Sequence, residues 1–95
     1  MKNLSLDTES EIIELAKKYD IEKVILFGSR ARGDNRERSD IDLAISGGDL
    51  TGFSIDADEE IRTLLKFDVV KLDKKVQPEL LGAIREEGIA IYEKV

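Results

Sequence analysis

Val24-Ile25-Leu26-Phe27-Gly28-Ser29, followed after ten residues by Asp40-Ile41-Asp42-Leu43-Ala44-Ile45, is the stretch whose reading decides the fold. Four consecutive apolar residues are the signature of a strand covered on both faces. The run stops at Gly28-Ser29, where a residue without Cβ lets the backbone turn and approach a ligand closely. The chain then resumes in strict alternation. Ile41, Leu43 and Ile45 can face a core, which leaves Asp40 and Asp42 side by side on the opposite surface.

Carboxylates two positions apart on a strand have Cα atoms roughly 6.5 Å apart and parallel side chains. At a carboxylate separation of about 5 Å and an effective dielectric near 20, their repulsion is on the order of 3 kcal/mol. A purely structural strand has no need to carry that cost. A divalent cation reverses its sign, and magnesium favours one or two carboxylates together with phosphate oxygens. Upstream, Gly28 and Ser29 offer backbone N–H groups and a hydroxyl to a phosphate, followed by helix-permissive Arg30-Ala31-Arg32. The two halves together predict a site for a metal-bound polyphosphate.

These residues carry a resemblance. Gly28-Ser29, ten residues, then Asp40-Ile41-Asp42 is similar to the glycine-serine/double-aspartate motif of the DNA polymerase beta-like nucleotidyltransferase superfamily. Gly28-Ser29-Arg30-Ala31-Arg32-Gly33 with Ser39-Asp40-Ile41-Asp42-Leu43 most resembles the minimal nucleotidyltransferases, which commonly act as antitoxins beside a HEPN-domain toxin. The resemblance implies that Asp40 and Asp42 ligate two Mg2+ ions and that a third carboxylate stands on a neighbouring strand. Asp68 suits that role, because a lone acid between Phe67 and Val69-Val70 demands a reason; Asp20, Asp56, Asp58 and Asp73 are the alternatives. Gly28 and Ser29 are then phosphate contacts, although most Gly-Ser pairs only make turns. Arg30 and Arg32 are candidate phosphate ligands with Arg30 ranked first, beside the plainer reading of a solvated arginine loop. Arg32-Gly33-Asp34 also spells an adhesion tripeptide, for which chance is the better explanation.

Ninety-five residues make one domain, 1–95, with a single modest core. Cysteine and histidine are both absent. That removes thiol chemistry, the usual zinc ligands and the usual neutral-pH base, so any metal must rest on oxygen. No apolar run is long enough to span a bilayer and the first residues lack a signal-peptide core, which predicts a cytoplasmic protein. A net charge of −6 disfavours broad attraction to nucleic acid or anionic membrane. Even so, four of the six arginines (Arg30, Arg32, Arg36 and Arg38) lie in one loop, forming a local basic rim.

In chain order, Thr8 as N-cap with Glu11 reaching back predicts an amphipathic helix over 8–19, with Ile12, Ile13, Leu15, Ala16 and Tyr19 at helical spacing. A strand over 22–27, one helical turn ended by Gly33, and a strand over 40–46 follow. Gly47-Gly48-Asp49 and Gly52 predict irregular chain. A second helix is expected over 54–66, with Ile55, Ile61, Leu64 and Leu65 as its apolar residues and acidic residues early. Phe67 to Leu72 reads as a strand, Pro78 to Gly88 as a helix, and 89–92 as a closing strand. Alternating strands and helices predict an α/β (α+β) domain; the resemblance adds a mixed sheet of polymerase beta-like topology with flanking helices.

The function expected is Mg2+-dependent transfer of a nucleoside monophosphate. The resemblance implies ATP as donor and a tyrosine of a HEPN toxin as acceptor, a type VII-like antitoxin activity. Larger relatives hold the acceptor with an extra helical domain that this chain lacks, so the acceptor is expected from another protein or a second subunit. Two alternatives stand beside it: an antitoxin that neutralises by binding alone, and transfer to RNA or a small molecule.

Overall fold

The first helix starts earlier than expected. In the computed structural model, which describes residues 2–95, α1 spans Leu6–Lys18. Its N-cap is Ser5, whose hydroxyl accepts from the Thr8 N–H at 3.1 Å. Thr8, expected as the cap, is buried in the first turn and accepts from the Ser5 hydroxyl at 2.9 Å. Glu11 does not reach back; it accepts from the Arg62 N–H at 3.3 Å. Ser5 offers the same capping chemistry as Thr8 and adds a turn with Asp7 and Glu9 at the positive end of the helix dipole.

β1 spans Lys23–Phe27, α2 is one turn over Ser29–Arg32, and β2 spans Ile41–Ser46. Gly33 ends α2 in the left-handed conformation, as its position predicts. The next helix, α3, covers Leu50–Glu60 and not 54–66. Asp49 caps it by accepting from the Gly52 N–H at 3.0 Å, so the glycine-rich approach is a helix start. Gly52 lies inside α3 because a Cβ there would fall 2.4 Å from Asp49 Oδ2 and 2.5 Å from the Tyr19 ring. With the register moved forward, α3 stops at Glu60, and Ile55 and Leu64 are both exposed, contrary to their expected places on an apolar face. β3 (Phe67–Lys71), α4 (Pro78–Glu87) and β4 (Ile89–Glu93) complete the chain.

The sheet is mixed, in the order β3-β2-β1-β4. β1 is antiparallel to β2 and β4, whereas β2 and β3 are parallel and joined through α3. Alternation sends Val24, Leu26, Ile41, Leu43 and Ile45 into a large core with α1 and α3, where Phe53 is completely buried. Phe27 and Ala44 face the other way, against Ile84 of α4. Both faces of β1 are thus covered, as its unbroken apolar run requires. The carboxylate side of β2 is the face that α4 only partly covers.

Phe53→Ala should therefore cost about 3–5 kcal/mol, a large share of a small domain's stability. Leu64→Ala should stay within about 0.5 kcal/mol of wild type. Urea unfolding measures both; a large loss at Leu64 would mean that it packs.

Candidate active site

The parallel register brings the acids together. Asp42 of β2 and Asp68 of β3 are direct Cα partners, so their side chains leave the same face of strands about 4.8 Å apart. Asp40 lies one residue before β2, exposed like Asp68. Asp42 is partly buried, and its pKa is pushed up to about 6, first by burial and then by the charges of Asp68, Asp40 and Glu87. Arg32 acts in the opposite direction. Asp42 is therefore the point on which three other acidic charges converge.

Gly28 is pressed against it. Its φ is +75°, and a Cβ would fall 2.2 Å from Asp42 Oδ2, so both conformation and space demand glycine. Its carbonyl accepts from the Ala31 and Arg32 N–H groups at 3.1 Å, which starts α2 directly beside the acids and sets Ser29 there. Its N–H donates to Glu87 Oε1 at 3.1 Å.

The arginines divide their labour differently from the expected ranking. Arg30, ranked first as a phosphate ligand, is buried, and its guanidinium donates to the carbonyls of Ser39, Glu37 and Asn3 at 3.1, 3.0 and 3.3 Å. It braces the loop that leads into Asp40. Arg32 is the exposed one, paired with Asp34 at 3.0 Å and with Glu87 Oε2 at 2.7 Å. Asp20, Asp56 and Asp73 are engaged elsewhere, with Lys94, Tyr19 and the Gly47 N–H, and Asp58 lies against the Phe67 N–H. Of the alternative third acids, none shares the register that Asp68 has with Asp42.

Glu87 was not anticipated. Its signal in the sequence was faint: an acid in the last turn of a helix, at the wrong end of the dipole. Beside Asp40, against the chain that leads into β3, opens a cleft of about 560 Å³ lined by Glu37, Arg38, Asp40, Leu64, Leu65 and Lys66.

Among the described residues, no three His, Cys, Asp or Glu side chains form a ready-made metal cage. The donor set nonetheless suits a hard cation. All candidate ligands are carboxylate oxygens, and magnesium completes its shell with water and phosphate oxygens. The crowding that lifts the Asp42 pKa is what a cation would relieve.

Residues 10–95 match the sequence profile of the polymerase beta nucleotidyltransferase family. The chain belongs to that family. It is 38% identical over 81 residues to a Methanocaldococcus jannaschii protein named, provisionally, a protein adenylyltransferase, covering 76% of this chain and 79% of that one. The fold is shared with a toxin–antitoxin structure with AMP-PNP, at a TM-score of 0.72 and 22% identity over 90% of this chain and 73% of the other. It is also shared with the complex of a tri-AMPylated Shewanella oneidensis HEPN toxin and its MNT antitoxin, at 0.65 and 19% over 92% and 71%. The chain is thus a nucleotidyltransferase of the small mixed-sheet kind.

Gly28→Ala should displace the Asp42 carboxylate and lower stability by at least about 1 kcal/mol, read by thermal unfolding. The Asp42 pKa gives a second prediction. Its folded value near 6 lies above the ordinary 3.8, so the folded state holds the proton more tightly. Its contribution to stability is full below pH 4 and is lost as pH rises through 6. In magnesium-free buffer, Asp42→Asn should therefore raise the melting temperature at pH 7 and flatten its pH dependence between 4 and 6. An Asp42→Asn protein less stable than wild type at pH 7 would contradict this.

Proposed function

We propose that this chain moves AMP from ATP to a hydroxyl of a partner protein, and that the acceptor is a tyrosine of a HEPN-type toxin. The observation that carries the reading is the Asp42–Asp68 register pair beside the side-chain-free Gly28, in a chain of the nucleotidyltransferase family. The donor and acceptor classes are supported by the relatives: one is named for protein adenylylation, and two share the fold in complexes with AMP-PNP or with an AMPylated HEPN toxin. Residues 1–95 act as one minimal nucleotidyltransferase domain. No helix is long and apolar enough to cross a membrane among the described residues, which suits a cytoplasmic site of action.

Asp40, Asp42 and Asp68 would hold two Mg2+ ions. When bound, these supply the positive charge that neutralises the phosphates and stabilises the developing charge of the reaction. Gly28 by its N–H, Ser29 by its hydroxyl and Arg32 by its guanidinium bind and orient the polyphosphate. Arg30 serves by fixing the loop before Asp40. The acceptor approaches from the cleft at Leu64 and Lys66, beside Asp40. Its oxygen attacks the α-phosphorus, pyrophosphate leaves, and exposed Asp68 takes the hydroxyl proton.

Incubating the HEPN partner with labelled ATP and this protein tests the reading. Label should appear on a partner tyrosine, and Asp42→Asn should lower the rate by on the order of 100-fold or more. An unlabelled partner, or labelling that survives Asp40→Asn with Asp42→Asn, would refute the transfer. If that double variant still neutralises the toxin, binding alone is the mechanism.

A further inference from the structure

We propose that Glu87 is a tethered competitor for the nucleotide: its carboxylate sits on Gly28 and Arg32, the donors assigned above to phosphate, and must leave before ATP binds. The inference rests on the reading that nucleotide phosphates bind at Gly28 and Arg32, and it adds a residue that sets their affinity.

Glu87 uses both oxygens, Oε1 on the Gly28 N–H at 3.1 Å and Oε2 on Arg32 Nη1 at 2.7 Å. One backbone N–H and one guanidinium shared by two oxygens of an anion is the arrangement a phosphate would take. No local preference puts an acid there. Glu87 ends α4, where the helix dipole disfavours negative charge, and its charge also adds to the crowding on Asp42. Its side chain is about one-fifth exposed, so water reaches the contact and the carboxylate can swing out. Arg32 keeps a second partner, Asp34 Oδ2 at 3.0 Å, which would hold the guanidinium in place when Glu87 departs.

A competitor carried on the same chain acts at high effective concentration. A lone phosphate group gains little by replacing one anion with another on the same two donors. A metal-bearing triphosphate gains further contacts at Ser29 and at the three aspartates, and so wins. Glu87 thereby lifts the threshold that any anion must pass, and weakly held phosphates are kept off the site.

Isothermal titration of Mg-ATP into the full chain tests this. Glu87→Gln removes the charge while keeping an acceptor oxygen for Gly28, and Glu87→Ala removes both. Each should bind Mg-ATP about tenfold more tightly than wild type, a change of roughly 1.4 kcal/mol. Glu86→Gln removes the same formal charge from an exposed neighbour and should leave affinity unchanged. Equal or weaker binding by both Glu87 variants would make Glu87 a structural clamp and overturn the proposal. An equal gain in Glu86→Gln would reduce the effect to net charge and overturn it too. If neither wild type nor any variant binds Mg-ATP, the nucleotide reading itself fails and takes this inference with it.

Discussion

The structure depends on a repulsion that it is built to contain. β2 and β3 run parallel in a register that sets Asp42 directly against Asp68, a like-charge pairing that weakens a sheet. Slipping β2 by one residue would separate the acids, but it would also turn Ile41, Leu43 and Ile45 out of the large core, and slipping β3 would turn out Phe67 and Val69. Those residues, with Phe53 and Ile12 packed on them, fix the register through burial on one face. The opposite face inherits its acids from that choice. Folding energy on one side of the sheet thus holds a charge arrangement that the other side opposes.

The strand order gives the acids two unlike flanks. Towards β1 the chain turns at Gly28 with its backbone against Asp42, and Ser29, Arg32 and Glu87 close in around it. Towards β3 and the loop before it, Asp68 is exposed and a cleft opens beside Asp40. One flank is rich in donors to an anion and sterically tight; the other is open and carries the apolar surface of Leu64. A two-substrate transfer needs such asymmetry, because the donor's phosphates and the incoming hydroxyl must meet the reacting phosphorus from opposite sides.

What the sequence made legible was local. The alternation from Ile41 to Ile45, the unbroken apolar run before Gly28, and the lone acid in Phe67-Asp68-Val69 each encode their environment within a few residues, and all three lead to the site. Helix starts were less readable. Ser5 and Thr8 carry the same hydroxyl three positions apart, so either can cap, and burial of Thr8 decided between them. Asp49 caps α3 from within a run of glycines that reads as loop, and Gly52 is explained by that capping carboxylate together with the ring of Tyr19, more than thirty residues earlier. The arginine ranking turned on carbonyls at Asn3, Glu37 and Ser39 that no pattern exposes. Glu87 is the extreme case: its partner Gly28 lies 59 residues away, and the contact exists only after α4 has docked on the sheet.

Charge balance gives the site its last constraint. Asp40, Asp68 and Glu87 gather around Asp42, while the neighbouring Arg32 is already matched by Asp34 and Glu87 and Arg30 is committed to the loop. A bare triphosphate arriving here would add its own negative charge to a cluster that already strains Asp42. The arginine-rich loop therefore does not make the site basic in effect, despite four arginines within nine residues. Only a ligand that brings compensating cations can enter without raising the repulsion further. On the proposed reading, magnesium would be a condition for nucleotide binding and not merely an aid to the chemistry that follows, and the chain's acidity would favour the metal complex over the free nucleotide.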